Sequence, residues 1–211
     1  MSPDPINRLG VLISGRGTNL QALIDAVADG RLAATIAVVI SNRPNAAGLE
    51  RARRAGIETL VLDHRQWPSR EDYDRALVGE LRARGVQLVC LAGFMRIFSA
   101  VMLEAYPNTI LNIHPSLLPL FPGLHPQQQA IDHGVKVSGV TVHIVTPDLD
   151  AGPIVVQRTV PVLDDDTADT LAARILVEEH KAYPEAVAII LGGGWKVDGR
   201  RFVKSPTGAE V

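Results

Sequence analysis

The sequence predicts a single α/β domain with a mostly parallel, twisted sheet and helices on both faces. Strand-like apolar runs alternate with helix-like segments through the amino-terminal half, which is typical of parallel sheets. The chain has 211 residues, of which 46% are hydrophobic, enough for the core of one domain. A glycine-containing loop joins the first predicted strand to the first predicted helix. The amino-terminal half is therefore expected to be Rossmann-like.

The first half of the chain contains four predicted strands and three predicted helices. The strands are residues 8–14, 35–41, 57–63 and 86–91, and the helices are 20–29, 46–55 and 69–84. In the first helix, Leu20, Leu23, Ile24 and Val27 have helical spacing. Ser69 is predicted to cap the third helix, because its hydroxyl can accept from an unpaired amide of the first turn.

The second half is predicted to add antiparallel strands and a helical carboxyl-terminal region. A short helix at 99–106 precedes a strand that ends at His114 and is expected to be central in the sheet. The remaining predictions are a helix at 123–133, antiparallel strands at 135–145 and 154–160, two helices at 167–180 and 184–191, and a hairpin at 195–203. The tail at 204–211 is expected to be mobile.

Composition argues against several classes of protein. Lys and Arg number 21 and Asp and Glu number 23, so the net charge of −2 gives no general attraction to nucleic acid or membranes. No apolar run reaches membrane-spanning length, and residues 1–7 lack the apolar core of a signal peptide. A cytoplasmic protein is expected. Cys90, the single cysteine, is expected to be a buried structural thiol.

The strand ending at His114 carries the first candidate site. Asn112 and His114 are two residues apart, so both side chains leave the strand on one face at its carboxyl end. Pro115 then stops the strand. An amide and an imidazole directed to one point can polarise a carbonyl group.

The loop at 14–20 carries the second candidate site. It joins the first strand to the first helix, where α/β folds bind phosphates, and its residues Gly17, Thr18 and Asn19 are the candidate contacts. The loop lacks the third glycine of the dinucleotide fingerprint and the Gly-Lys-Ser/Thr of the P-loop. A mononucleotide or sugar monophosphate is therefore the expected ligand.

Several segments in order resemble the folate-dependent formyltransferases. These are Asn-Ile-His-Pro-Ser-Leu-Leu-Pro at 112–119, Leu-Ala-Gly-Phe-Met-Arg-Ile at 91–97, and Leu-Asp-Ala-Gly-Pro-Ile at 149–154. The resemblance runs from about Arg8 to about Gly193. It implies transfer of a formyl group from 10-formyltetrahydrofolate to the amine of a glycinamide ribonucleotide in purine biosynthesis. It also implies a catalytic set of Asn112, His114 and Asp150, in which the carboxylate favours the imidazolium form of His114.

The resemblance also implies the binding residues. Those expected to contact the folate are Arg70, Met95, Arg96, Ile97, Phe98, Asn112, Thr146, Pro147, Asp148, Leu149 and Asp150. Gly17, Thr18, Asn19 and Glu179 are expected to contact the ribonucleotide, Glu178 to be only solvated, His125 to play a supporting role, and His143 to be a satisfied strand residue. No metal is expected, because His114, His125, His143 and Asp150 lack close ligand spacing.

Residues 1–211 are expected to form one formyltransferase domain. About 8–105 would be its nucleotide-binding lobe, and about 106–203 its catalytic and folate-binding lobe. The expected partners are small molecules, with neither nucleic acid nor membrane, in a monomer or homodimer.

Two kinds of alternative remain open. A formyltetrahydrofolate hydrolase and a methionyl-tRNA formyltransferase share the catalytic set, but the first carries an extra amino-terminal domain and the second an extra carboxyl-terminal one. The chain is expected to have room for neither. A ligand-binding module without catalysis is the third possibility, against which the intact Asn112, His114 and Asp150 argue.

Overall fold

The computed structural model describes residues 7–204, and the predicted mobility at 205–211 lies outside this range. The strands are β1 (Arg8–Ile13), β2 (Thr35–Ser41), β3 (Thr59–Val61), β4 (Leu88–Leu91), β5 (Ile110–His114), β6 (Val137–Ile144), β7 (Ile154–Pro161), β8 (Trp195–Asp198) and β9 (Arg201–Lys204). The helices are α1 (Thr18–Ala28), α2 (Gly48–Arg54), α3 (Arg70–Ala83), α4 (Ala100–Ala105), α5 (Pro126–Asp132) and α6 (Ala168–Leu191). The predicted alternation of strands and helices is confirmed.

One seven-stranded sheet organises the fold, in the order β3-β2-β1-β4-β5-β6-β7. Strands β1 to β5 pair in parallel, whereas β6 pairs antiparallel with both β5 and β7. The middle strand is β4, so the expectation that β5 is the central one is wrong by one position. Because β1, β2, β4 and β5 are parallel, the loops at their carboxyl ends all lie along one edge of the sheet, where ligands bind in open α/β sheets.

Helices cover both faces of the sheet, as predicted. On one face α1, α2, α5 and α6 pack against residues such as Leu9, Val11 and Ile13 of β1. On the other face α3 and α4 pack against Leu12 of the same strand. The alternation within β1 therefore divides the core into two layers, each of which removes apolar area from water.

The carboxyl-terminal helix corrects one prediction, because α6 is one helix of 24 residues with Pro184 inside it. A proline in a helix interior removes one amide hydrogen bond and typically costs about 3 kcal/mol. Here its neighbours Ala182, Tyr183, Ala186 and Val187 are all fully buried. The Tyr183 hydroxyl also lies 2.9 Å from the Leu91 carbonyl oxygen. Packing on the sheet therefore holds the helix continuous through the proline.

Other boundaries differ from the predictions by a few residues. The third strand is shorter than predicted, since β3 is an edge strand with a single neighbour, β2. Ser69 caps α3 through its side chain, and β8 and β9 form the predicted hairpin. Cys90 is fully buried, which raises the pKa of its thiol to about 12. Within residues 7–204, no helix is long and apolar enough to cross a membrane.

Candidate active site

The end of β5 brings Asn112 and His114 to one face of the sheet, as their spacing predicts. Asn112 pairs across the parallel ladder with Leu91 of β4 and across the antiparallel ladder with His143 of β6. His114 lies opposite Thr141. Asn112 is therefore flanked by paired strands on both sides and His114 by β6 on one side, which is a rigid support for a chemical site.

The His114 side chain is nearly buried, with 7% of its surface exposed. Its Nε2 lies 2.9 Å from the carbonyl oxygen of Phe121, and its Nδ1 lies 3.4 Å from Oδ2 of Asp150. Both neighbours can only accept hydrogen bonds, so a doubly protonated ring would donate to both. The contact with Asp150 is the longer one, and Nδ1 is the nitrogen that a ligand can take over more readily.

Asp150 comes from the loop between β6 and β7 and closes the site. Its backbone is left-handed, with φ of 50°, a conformation that Asp tolerates better than most residues. Oδ2 accepts a hydrogen bond of 2.9 Å from the Gly123 amide. Burial acts to raise the pKa of Asp150, but its contact with His143, the hydrogen bond from the Gly123 amide and the charge of His114 outweigh it. The pKa therefore lies below its usual 3.8.

His143 is part of this cluster through a contact with Asn112 that the sequence did not predict. Its Nδ1 contacts the Ile144 carbonyl at 3.0 Å, so the expectation of a satisfied strand residue is confirmed. Its Nε2 also lies 3.2 Å from Nδ2 of Asn112 and 3.7 Å from Oδ1 of Asp150. The Asn112 amide reaches Oδ1 of Asp150 at 3.4 Å. The predicted trio is therefore brought together, with His143 as a fourth member that orients the Asn112 amide.

The cluster opens into a cleft of about 710 Å³. All eleven residues predicted to contact the folate line it, namely Arg70, Met95, Arg96, Ile97, Phe98, Asn112, Thr146, Pro147, Asp148, Leu149 and Asp150. The large apolar side chains at its mouth are unusually exposed, at 63% for Met95, 54% for Ile97 and 56% for Leu149. Exposed apolar side chains around a few convergent polar groups are typical of a small-molecule site.

Two side chains of the cleft wall are also engaged inside the protein. Phe98 is 8% exposed and stacks on Phe94, with ring centroids 5.6 Å apart. The Arg96 guanidinium lies 4.9 Å from the ring centroid of Tyr73, a distance at which a cation and an aromatic face attract. The backbone of this loop and the side chains of Met95 and Ile97 therefore offer most of its contact surface to a ligand.

The second predicted site lies at the start of α1. Gly17 has φ of 69°, and an added Cβ would come within 2.6 Å of the Gly48 Cα, so the turn requires glycine. Asn19 donates from Nδ2 to Oε2 of Glu179 at 2.6 Å, although 160 residues separate them in sequence. The Asn19 Oδ1 is buried and has no hydrogen-bond partner within residues 7–204. The predicted Gly17, Thr18, Asn19 and Glu179 therefore lie near one another.

Burial is the main electrostatic feature of Glu179. It raises the pKa of this carboxyl above its usual 4.5, against the lowering effects of the Asn19 hydrogen bond and the Arg16 charge. Glu178 corrects a prediction, since it is not merely solvated. It pairs with Lys181 at 2.7 Å and with Arg158 at 3.4 Å, because it points along the outer side of α6 toward β7. Glu179 is thus the carboxylate directed inward.

The remaining residues to place are His125 and any side chains that could bind a metal ion. His125 lines the cleft and is exposed, with φ of 56° before α5. In the described part of the chain, no group of three or more His, Cys, Asp and Glu residues is arranged to hold a metal ion.

The chain is similar to proteins of one family. A formyl transferase family model matches residues 7–187. The chain is 46% identical over 190 residues to phosphoribosylglycinamide formyltransferase of Escherichia coli (strain K12), covering 90% of this chain and 87% of that protein. It is 50% identical over 188 residues, 88% of its length, to the trifunctional purine biosynthetic protein adenosine-3 of Drosophila melanogaster, and spans only 14% of that relative.

Solved structures agree with the sequence comparisons. A crystal structure of glycinamide ribonucleotide transformylase 1 from Symbiobacterium toebii superimposes with a TM-score of 0.93 at 56% identity, covering 95% of this chain and 94% of that one. Phosphoribosylglycinamide formyltransferase from Coxiella burnetii gives a TM-score of 0.89 at 40% identity, covering 94% and 93%.

Proposed function

The chain belongs to the formyl transferase family, and we propose that it transfers a formyl group from 10-formyltetrahydrofolate to N1-(5-phospho-D-ribosyl)glycinamide. The product is the N2-formyl compound of purine (IMP) biosynthesis. The observation that carries this proposal is the convergence of Asn112, His114 and Asp150 at the floor of an open cleft. An amide, an imidazole and a carboxylate at one point suit attack of an amine on a formyl carbon.

The proposed reaction is direct. The amine nitrogen attacks the formyl carbon, and the carbonyl electrons move to the oxygen to form a tetrahedral oxyanion. The contacts of His114 Nδ1 and Asn112 Nδ2 with Asp150, both 3.4 Å, are long enough for the oxyanion to compete for these donors. The bond to the folate nitrogen then breaks, that nitrogen gains a proton, and the amine loses one. The carboxylate of Asp150, whose pKa is lowered, accepts from these two donors, on His114 and Asn112, until the oxyanion forms.

The binding roles follow the placement of the residues. We assign the folate to the 710 Å³ cleft, with the loop at 95–98 and the loop at 146–150 on its two sides and Arg70 at its edge. The ribonucleotide phosphate is assigned to Gly17, Thr18 and Asn19, where free amides of a helix start favour an anion. Glu179 is assigned to the ribose hydroxyls, which a buried carboxylate can accept from.

The wider assignments stay predictions. The division into a nucleotide-binding lobe at about 8–105 and a catalytic and folate-binding lobe at about 106–203 is one of them. A cytoplasmic location, and a monomer or homodimer that acts on small molecules, are the others.

An absorbance assay of 10-formyltetrahydrofolate tests the proposed function. Formyl loss that requires glycinamide ribonucleotide is the expected result. Loss at the same rate without the ribonucleotide would identify a hydrolase instead. No loss under either condition, with folate binding retained, would identify a binding module and contradict the proposal.

Glu179→Gln is expected to weaken ribonucleotide binding while stabilising the empty protein. The charged acceptor for two hydroxyls is lost, and each such hydrogen bond contributes about 1.5–3 kcal/mol. We therefore expect the KM for the ribonucleotide to rise about 10–100-fold, with the KM for the folate within about twofold of wild type. Steady-state kinetics with each substrate varied in turn measures both. Equal ribonucleotide KM values in the two proteins would remove Glu179 from the site.

The stability of the same variant should depend on pH. Because the folded-state pKa of Glu179 is raised above 4.5, its contribution to stability is present below the unfolded pKa. It is lost as the pH rises through the folded pKa. Glu179→Gln should therefore melt above wild type at about pH 8, and the difference should shrink at about pH 4. Glu178→Gln changes the neighbouring, partly buried carboxylate, whose pKa is lowered by its hydrogen bond to Lys181, and this contrasting variant should melt below wild type at about pH 8.

A further inference from the structure

Ser14 links the end of β1, where the ribonucleotide loop begins, to the segment after β4 that forms one wall of the folate cleft. Ser14 follows β1 directly and is 4% exposed. Its backbone amide donates to the Gly93 carbonyl at 3.2 Å. Its hydroxyl oxygen accepts from the Met95 amide at 2.9 Å. Both groups of one residue therefore hold the segment at 93–95, where the chain leaves β4 and enters the cleft wall.

The hydroxyl hydrogen of Ser14 is fixed as well. It is donated to Oδ1 of Asn42 at 2.6 Å, and Asn42 is itself only 2% exposed. The Asn42 amide lies 3.4 Å from Nδ1 of His64. A hydroxyl that donates in one fixed direction presents its lone pairs in a fixed direction too, here toward the Met95 amide. The chain of contacts thus runs from the ends of β2 and β3 to the cleft.

We propose that Ser14 is a positioning residue for the folate, acting through the Met95 amide to set the path of the loop at 95–98. The inference rests on the proposed function, since it requires that this loop contacts the folate. The loop has no regular secondary structure of its own until α4 begins at Ala100. The buried rings of Phe94, directly before the loop, and of Phe98, its last residue, fix its ends in the core. Between them, the Ser14 hydroxyl holds the backbone at Met95.

The ribonucleotide loop at 14–20 does not need the Ser14 hydroxyl, although Ser14 is its first residue. Its backbone is held by a hydrogen bond of 3.0 Å from the Gly48 amide to the Gly15 carbonyl. Arg51 Nε also donates to the Arg16 carbonyl at 2.9 Å. Loss of the hydroxyl should therefore affect the folate and leave the ribonucleotide nearly unchanged, which a general loss of structure would not do.

Ser14→Ala is the test, with Ser41→Ala as the matched control. Ser41 is a fully buried serine at the end of β2, whose hydroxyl bonds only to the backbone of Arg43 among the described residues. In Ser14→Ala we expect the KM for 10-formyltetrahydrofolate to rise about tenfold, because the Met95 amide and Asn42 lose a buried partner. The ribonucleotide KM should stay within about twofold, and Ser41→Ala should change neither.

Hydrogen exchange at the Met95 amide supplies the second measurement. Its protection should fall at least about fivefold in Ser14→Ala and remain in Ser41→Ala. An unchanged folate KM in an active, folded Ser14→Ala protein would overturn the inference, whereas an inactive wild type would overturn the proposed function. If Ser14→Ala does not fold, Asn42→Ala decides: a folate KM raised about threefold supports the role, and an unchanged one contradicts it.

Discussion

Replacing His114 by alanine is expected to lower turnover about 10²–10⁴-fold, the usual contribution of one general acid or base. In the proposed mechanism, the Nδ1 donor of His114 passes from its 3.4 Å contact with Asp150 to the oxyanion, while the 2.9 Å contact of Nε2 with the Phe121 carbonyl holds the ring in place. Single-turnover measurement of formyl transfer separates this effect from substrate binding, which should change little.

A second histidine of the same cleft provides the control for this experiment. His114→Asn and His125→Asn make the same change at two cleft positions, and asparagine tolerates the left-handed backbone of His125. We expect the large loss only at His114 and less than about a tenfold change at His125. Turnover near that of wild type in a folded His114 variant would remove this residue from the mechanism.

Gly152→Ala is expected to destabilise the protein by about 3 kcal/mol and to lower turnover about 100-fold. A Cβ at this position would overlap the carbonyl oxygen of Ile144 and crowd the Thr146 side chain. The backbone cannot move aside without shifting the loop that carries Asp150, two residues earlier. Chemical denaturation measures the free energy of unfolding, and the transfer assay measures turnover.

Gly79→Ala is the matched control for this clash. Gly79 lies in α3, and a Cβ there meets nothing within 4 Å. The exposed helical site should gain about 0.5–1 kcal/mol from the same substitution, with turnover unchanged. A Gly152→Ala protein as stable and as active as wild type would contradict the close approach of this turn to β6.

Local sequence patterns were enough for most of the fold. The spacing of apolar residues placed α1, and Ser69 marked the start of α3, because these features depend on neighbours within a few residues. The prediction of a helix end before Pro184 failed because the outcome there depends on residues distant in sequence. The local preference of proline is to end a helix, and only burial of Tyr183 and its neighbours against the sheet, a contact distant in sequence, outweighs that preference.

The residues of the candidate site also separate into those that a local pattern predicts and those that only the whole fold brings together. Strand alternation alone directs Asn112 and His114 to one face, whereas Asp150 was reached through resemblance to a family. The contact of His143 with Asn112 was not predicted, because it depends on the register of β5 against β6, which no short segment reveals. That register, combined with the alternation of β6, is the signal that could have found it. The contact between Asn19 and Glu179 likewise needs the whole fold.

The loop between β6 and β7 has a consequence for changing what this protein accepts. One uninterrupted segment supplies a wall of the cleft at 146–149 and, at its end, the carboxylate of Asp150. Changing residues 146–149 to fit a bulkier folate would also move the Asp150 carboxylate. Changing the choice of substrate without changing the turnover rate therefore calls for substitutions on the opposite wall, at Met95 and Ile97.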